Sequence, residues 1–172
     1  DEQALDTNLA ELKSTLGTGI SNGLGAGGKP EVGRDAALDD LERIKTLLEG
    51  SDMVFVAAGM GGGTGTGAAP IVARAAKEIG ALTVAVVTKP LELEMRDQIA
   101  DVGLKELTDE VDSLIAIPNQ KLLEVLGREH SLLDAFKQAN DVLLGAVRGI
   151  SDIITQTGLV NVDFQDVKTC LL

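Results

Sequence analysis

Six glycines fall within nine residues at Gly59-Met-Gly-Gly-Gly-Thr-Gly-Thr-Gly67, between an apolar run ending at Ala58 and an Ala-rich stretch beginning near Ala68. A glycine-rich bend from strand to helix aims backbone N–H groups and the positive end of a helix at an anion. Glycine serves such a bend twice. It takes left-handed backbone angles, and without a Cβ it lets phosphate oxygens approach the chain. Thr64 and Thr66 add hydroxyl donors. The competing reading is a tight turn that needs its glycines for its own geometry. Near the far end, Asn161-Val-Asp163-Phe-Gln-Asp166 puts two carboxylates three residues apart at a helix start, where they can share one face and polarise a water. Spacing alone favours an Asp N-cap followed by a solvated acidic turn.

A second glycine cluster runs from Gly17 to Gly33. Within it Gly23-Leu-Gly25-Ala-Gly-Gly28 matches a dinucleotide fingerprint to the letter, but no strand leads into it. Gly23 to Lys29 resembles the start of a P-loop, but Pro30 stands where Ser or Thr is required. Both matches read as accidental. The lone histidine, His130, precedes a long helical pattern and reads as a surface or capping residue. Cys170 reads as a small buried apolar residue.

The elements that must position these loops are legible as apolar runs. Met53–Ala58, Leu82–Thr88 and Ser113–Pro118 are short and apolar at consecutive positions, as in parallel strands covered on both faces. Helical periodicity occupies Asp35–Glu49, where Ala37, Leu41, Ile44, Leu47 and Leu48 form one stripe ahead of Gly50. It recurs at Ala68–Ile79, with Pro70 expected in a first turn, and at Arg96–Leu107 and Gln120–Leu126. The strongest pattern is Ser131–Ile154, opened by a Ser131/Asp134 start signal. Its apolar residues fill more than one stripe, which places it between layers. Strand and helix alternate throughout, so the fold class is α/β with a parallel sheet.

Composition narrows the chemistry. The 172 residues carry 15 Lys and Arg against 27 Asp and Glu, a net charge of -12, which repels phosphate backbones and anionic membranes. Aromatics are 2%, too few for stacking platforms on single-stranded nucleic acid. A single cysteine excludes an internal disulfide, and the start has no signal-like segment, so a cytosolic location is expected. The longest mostly apolar stretch, Ile79 to Val87, is too short to span a bilayer. Both ends look cut: no strand precedes Asp1, and Val167–Leu172 turns apolar without a cap.

Gly61-Gly-Gly-Thr-Gly-Thr-Gly67 is similar to the phosphate-loop signature of the tubulin/FtsZ superfamily. Gly23-Leu-Gly-Ala-Gly27 with Pro30-Glu-Val-Gly33, Ala116-Ile-Pro-Asn119 and Asn161 to Asp166 resemble its bacterial FtsZ branch. The resemblance implies a three-layer, Rossmann-like GTPase domain, incomplete over residues 1–172, with a long central helix at about 131–155 and a catalytic loop at 161–166. It implies that GTP phosphates lie on Gly61, Gly62, Gly63, Thr64, Gly65, Thr66 and Gly67, with Ala26, Gly27 and Gly28 near the γ-phosphate. Glu94 would take the ribose with Arg96 as a nearby cation, and Asn119, Phe136 and Asn140 the guanine. On spacing alone Phe136 also reads as a core residue of the long helix. Asp163 and Asp166, with Asn161, would complete hydrolysis in the nucleotide site of the next subunit. Mg²⁺, head-to-tail filaments and cell-division partners at the division site belong to the same implication, with no nucleic acid and no membrane insertion.

Three departures from the family pattern stand out: Lys29 where Asn is usual, Leu91 and Leu93 where aromatics are usual, and Met95 in place of Gly. The family also has a strand and a first glycine loop before the position of Asp1, and a further domain after the position of Leu172. Their absence from this chain motivates a second reading, a non-catalytic module that caps or poisons filaments. A nicotinamide-binding α/β enzyme is a third, which the fingerprint without a strand disfavours.

Overall fold

The computed structural model describes residues 5–6, 9–127 and 131–155. In chain order the elements are α1 (Thr18–Ser21), α2 (Pro30–Asp39), α3 (Leu41–Leu48), β1 (Met53–Gly59), α4 (Thr64–Glu78), β2 (Leu82–Lys89), a 3₁₀ turn (Glu92–Glu94), α5 (Asp97–Glu110), β3 (Ser113–Pro118), α6 (Asn119–Leu126) and α7 (Leu132–Thr155). The three strands pair in parallel in the order β1-β2-β3, with Met53 opposite Leu82 and Val84 opposite Ser113. All three lie within a residue of their expected positions.

β2 is central, and Leu82 to Val87 are buried without interruption. Alternate residues serve opposite layers, as the pleat requires. Val54, Val56, Ala85 and Val87 meet Ala69, Ala73 and Ala76 of α4 and Ala100 and Leu107 of α5. On the other face Phe55, Val84, Val86, Ile115 and Ile117 meet Val142, Leu143, Ala146, Val147 and Ile150 of α7. The alanines of α4 are too small to hold it off the sheet, so its backbone comes close to the strands. Leu133 and Leu144, on the second apolar stripe of α7, are exposed, so among the described residues α7 covers one layer rather than lying between two.

Two expected helices differ in extent. The pattern read as Asp35–Glu49 is a pair: α2 already begins at Pro30, whose fixed φ suits a first helical position, and the run breaks at Asp40. Asp40 accepts the Gly17 N–H and a bond from Arg43, a tertiary pull that periodicity does not encode. α4 begins at Thr64 rather than near Ala68, because the end of the glycine loop is itself helical; Pro70 therefore sits inside the helix and forgoes one ladder bond. The start of α7 follows expectation, with Asp134 N–H donating to Ser131 Oγ at 3.2 Å and Ser131 N–H to Asp134 Oδ2 at 3.1 Å. No helix among the described residues is long and apolar enough to cross a membrane.

Candidate functional site

Gly59 lies opposite Thr88, and Thr88 opposite Ile117, so the three strands end side by side. Each end runs into one segment of interest: residues 59–67 after β1, 89–96 after β2, and Asn119 after β3. Neighbouring strands are about 4.8 Å apart, so the three segments form a row roughly 10 Å across. The carboxyl edge of a parallel sheet is where open α/β folds bind ligands.

The bend after β1 is held from both sides. Met60 N–H donates to the Thr88 carbonyl at 3.0 Å, extending the ladder one residue past β1. Gly61 has φ +103°, a conformation that side chains rarely adopt, and a Cβ there would lie 3.0 Å from Pro90 and 3.1 Å from Arg96. Its N–H donates to Thr66 Oγ1 at 2.8 Å in a buried bond. Gly63 caps α4 with no side-chain partner, and the first turn carries no acidic residue. Among the described residues the N–H groups of Gly62, Gly63, Thr64, Gly65 and Thr66 meet no acceptor. Five free donors at a positive helix end make a concentrated site for an anion.

The glycines of this bend divide by what surrounds them. At Gly62 a Cβ would meet open space. At Gly63 it would lie 2.6 Å from Lys29 N and 2.8 Å from the Ala26 Cβ; at Gly65 it would strike the Gly59 carbonyl, and at Gly67 it would come within 2.7 Å of Arg34 N. Gly62 thus leaves room for a ligand, whereas Gly63, Gly65 and Gly67 make room for the protein itself. The tight-turn reading thus accounts for Gly63, Gly65 and Gly67, and the space at Gly62 is open to the phosphate reading.

Ala26 to Lys29 form a turn closed by Lys29 N–H to the Ala26 carbonyl at 3.1 Å, with Gly27 at φ +61° and Gly28 at φ +78°. Two successive left-handed residues require glycine or an equivalent. Ala26 N–H donates to Thr64 Oγ1 at 3.2 Å, so the two glycine loops are joined. Thr64 and Thr66, expected as donors, are acceptors within the protein, and Thr66 is 2% exposed. The hydroxyl proton of exposed Thr64 remains to be given. Lys29 is exposed and forms no ion pair among the described residues.

After β2 the chain turns through Glu92–Glu94, and Glu94 Oε1 accepts the Leu91 N–H at 2.9 Å. The rest of the carboxylate can take a hydroxyl. Glu92 N–H reaches Gln120 Oε1 at 3.3 Å, tying this turn to the start of α6. Met95 has φ +51° and is 90% exposed, so the position where the family pattern has Gly is left-handed here. Arg96 precedes α5 and is exposed. Asn119 is buried, and its Oδ1 has no hydrogen-bond partner among the described residues. Phe136 is 36% exposed, so its ring is only partly buried, and Asn140 is exposed one turn further along the same face of α7. α6 and α7 pack against each other, bringing the Asn119 end of β3 and α7 into one neighbourhood.

Asn161, Asp163 and Asp166, like His130 and Cys170, lie outside the described residues. Sequence reasoning quoted Gly33 only as part of a motif and passed over Gly103, so the supporting role of both was missed. Gly33 lets α2 cross α4, since a Cβ there would lie 3.0 Å from Thr64 Cα, and Gly103 lies against the methyl groups of Thr66 and Met60. Gly103 interrupts an otherwise good helix, which was a readable signal. Further along these helices, Arg34 pairs with Glu106, whose hydrogen bond and charge raise the guanidinium above its ordinary value, and Arg74 pairs with Glu110 at 3.1 Å.

Residues 1–127 match the tubulin/FtsZ family, GTPase domain. The cell division protein FtsZ of Pseudomonas aeruginosa is 62% identical over 99% of this chain, and that of Coxiella burnetii 60% identical over the same share. The chain spans 44% and 45% of those two relatives. A solved FtsZ dimer from M. jannaschii superposes with a TM-score of 0.95 at 48% identity, over 99% of this chain and 50% of that one. CetZ from Methanosaeta thermophila, at 24% identity and a TM-score of 0.71 over 84% of this chain and 42% of that one, shares the fold. The parallel sheet, the glycine bend that closes it and these matches agree: the chain belongs to the tubulin/FtsZ family, and it carries the family's GTPase-domain fold.

Proposed function

We propose that this chain binds GTP and GDP along the carboxyl edge of its sheet. The observation that carries the reading is the group of five free N–H donors at Gly62–Thr66 on the positive end of α4. In this reading phosphates lie on Gly61–Gly67, with Ala26, Gly27 and Gly28 closing over the terminal one, the ribose reaches Glu94 near Arg96, and the base meets Asn119, Phe136 and Asn140. Phosphate, sugar and base then follow the order of β1, β2 and β3. The buried, unpartnered Asn119 oxygen supports the base end, since a purine N–H would satisfy it. Exposed Phe136 offers a ring face. Mg²⁺ would accompany the triphosphate and would supply charge neutralisation for phosphoryl transfer.

Hydrolysis is assigned to the loop at Asn161, Asp163 and Asp166 acting on a neighbouring copy, where the two carboxylates orient and polarise the attacking water. Such a contact is heterologous and open, so it builds filaments, as expected of a cytoplasmic cell-division protein. Two variants mixed together test the division of labour. Asp166→Ala retains GTP binding and loses turnover; Gly62→Val loses binding and keeps its carboxylates. Turnover returning in the mixture supports hydrolysis between copies. A mixture as inactive as its parts contradicts it.

A further inference from the structure

We propose that Gly103 of α5 is a positioning residue for the phosphate bend, acting through the side chain of Thr66; the proposal rests on the reading that this bend holds phosphate. Thr66 is 2% exposed and Met60 4%, and their terminal methyl groups fill the space where a Cβ on residue 103 would stand. The closest atom there is the Thr66 methyl, Cγ2. On a threonine, Cγ2 and Oγ1 hang from one Cβ and turn together about χ1, which has few allowed settings in a helix. The Oγ1 on the other arm accepts the Gly61 N–H at 2.8 Å. The absence of a side chain at Gly103 therefore fixes where the Thr66 hydroxyl points, and that hydroxyl fixes the peptide entering the cradle.

The lever has little slack. A Cβ on Gly61 would meet Pro90 and Arg96, and Arg96 immediately precedes α5, so the start as well as the middle of that helix lies close to the bend. A methyl added at residue 103 pushes Cγ2, swings Oγ1 off the Gly61 amide, and leaves a buried N–H unpaired or forces the bend to move. Losing one such bond is worth about a factor of ten in an equilibrium constant. Gly103 thereby sets the geometry of the donors at Gly62–Thr66 without touching the nucleotide.

The test uses Gly103→Ala, Thr66→Ser, their double variant and Gly62→Val in the 172-residue chain. It reads hydrogen exchange of the Gly61 amide, exchange of β2 amides as a global control, and GTP affinity. Gly103→Ala is expected to speed Gly61 exchange and weaken GTP binding, each by about tenfold, with β2 amides unchanged. Serine keeps the hydroxyl and lacks the methyl, so the double variant is expected to return both readouts to within about twofold of the parent. Additive losses in the double variant overturn the proposal, as does Gly103→Ala that leaves Gly61 exchange unchanged. Should Gly103→Ala fail to fold, a folded double variant with parental Gly61 protection supports the lever, and an unfolded one overturns it. Failure of the phosphate reading looks different: GTP binding that Gly62→Val leaves intact, with Gly61 exchange still following the lever.

Discussion

Asn119 holds a carbonyl oxygen in a buried place with no partner among the described residues, a condition that costs about 1–3 kcal/mol. A fold tolerates that cost where a ligand removes it. Asn119→Leu, similar in shape and without the orphan oxygen, is expected to keep or raise the thermal midpoint of the ligand-free protein while weakening GTP binding by about tenfold. A lowered midpoint with unchanged affinity would make Asn119 a structural residue. Met95 shows the opposite balance, a 90% exposed side chain on left-handed backbone whose N–H closes the 3₁₀ turn on the Glu92 carbonyl at 3.1 Å, a bond that glycine would keep. Met95→Gly is expected to stabilise the protein by about 0.5–1 kcal/mol in urea unfolding, the relief of strain exceeding the entropy that glycine loses. The substitution itself was visible in the sequence as a departure from the family pattern. The orphan oxygen was not, because burial without a partner depends on how β3 and α6 meet their neighbours.

At the scale of elements, the strands were legible because consecutive apolar residues in Met53–Ala58, Leu82–Thr88 and Ser113–Pro118 leave few other ways to bury both faces. The helix ends were less so. Asp40 breaks a continuous apolar stripe because its carboxylate is needed by Gly17, a contact across 23 residues that no local pattern announces. The glycine bend shows the same limit: six glycines advertised a phosphate cradle, yet three of them admit neighbouring backbone instead. Gly67→Ala is expected to force α2 away from α4 and cost about 1–3 kcal/mol in thermal unfolding. Gly62→Ala, pointing into open space, is expected to leave stability within about 0.5 kcal/mol and to weaken nucleotide binding. Equal effects of the two on stability would remove the distinction between glycines that serve packing and glycines that serve the ligand.

Across the whole molecule, the proposed function asks a chain of net charge -12 to receive a polyanion, so the general field opposes binding and only local donors favour it. The bend after β1 meets that requirement by gathering free N–H groups at a helix end from which acidic side chains are missing. The opposing field is long-ranged and screened by salt, while the donors act at contact distance and are screened far less. The direct measurement is a GTP titration of the Mg²⁺-supplemented chain, followed residue by residue through its backbone amide resonances and their hydrogen exchange. The amides of Gly62, Gly63, Thr64, Gly65 and Thr66 are expected to shift most and to become protected as GTP saturates. Saturable binding that leaves those five amides unmoved and unprotected would contradict it.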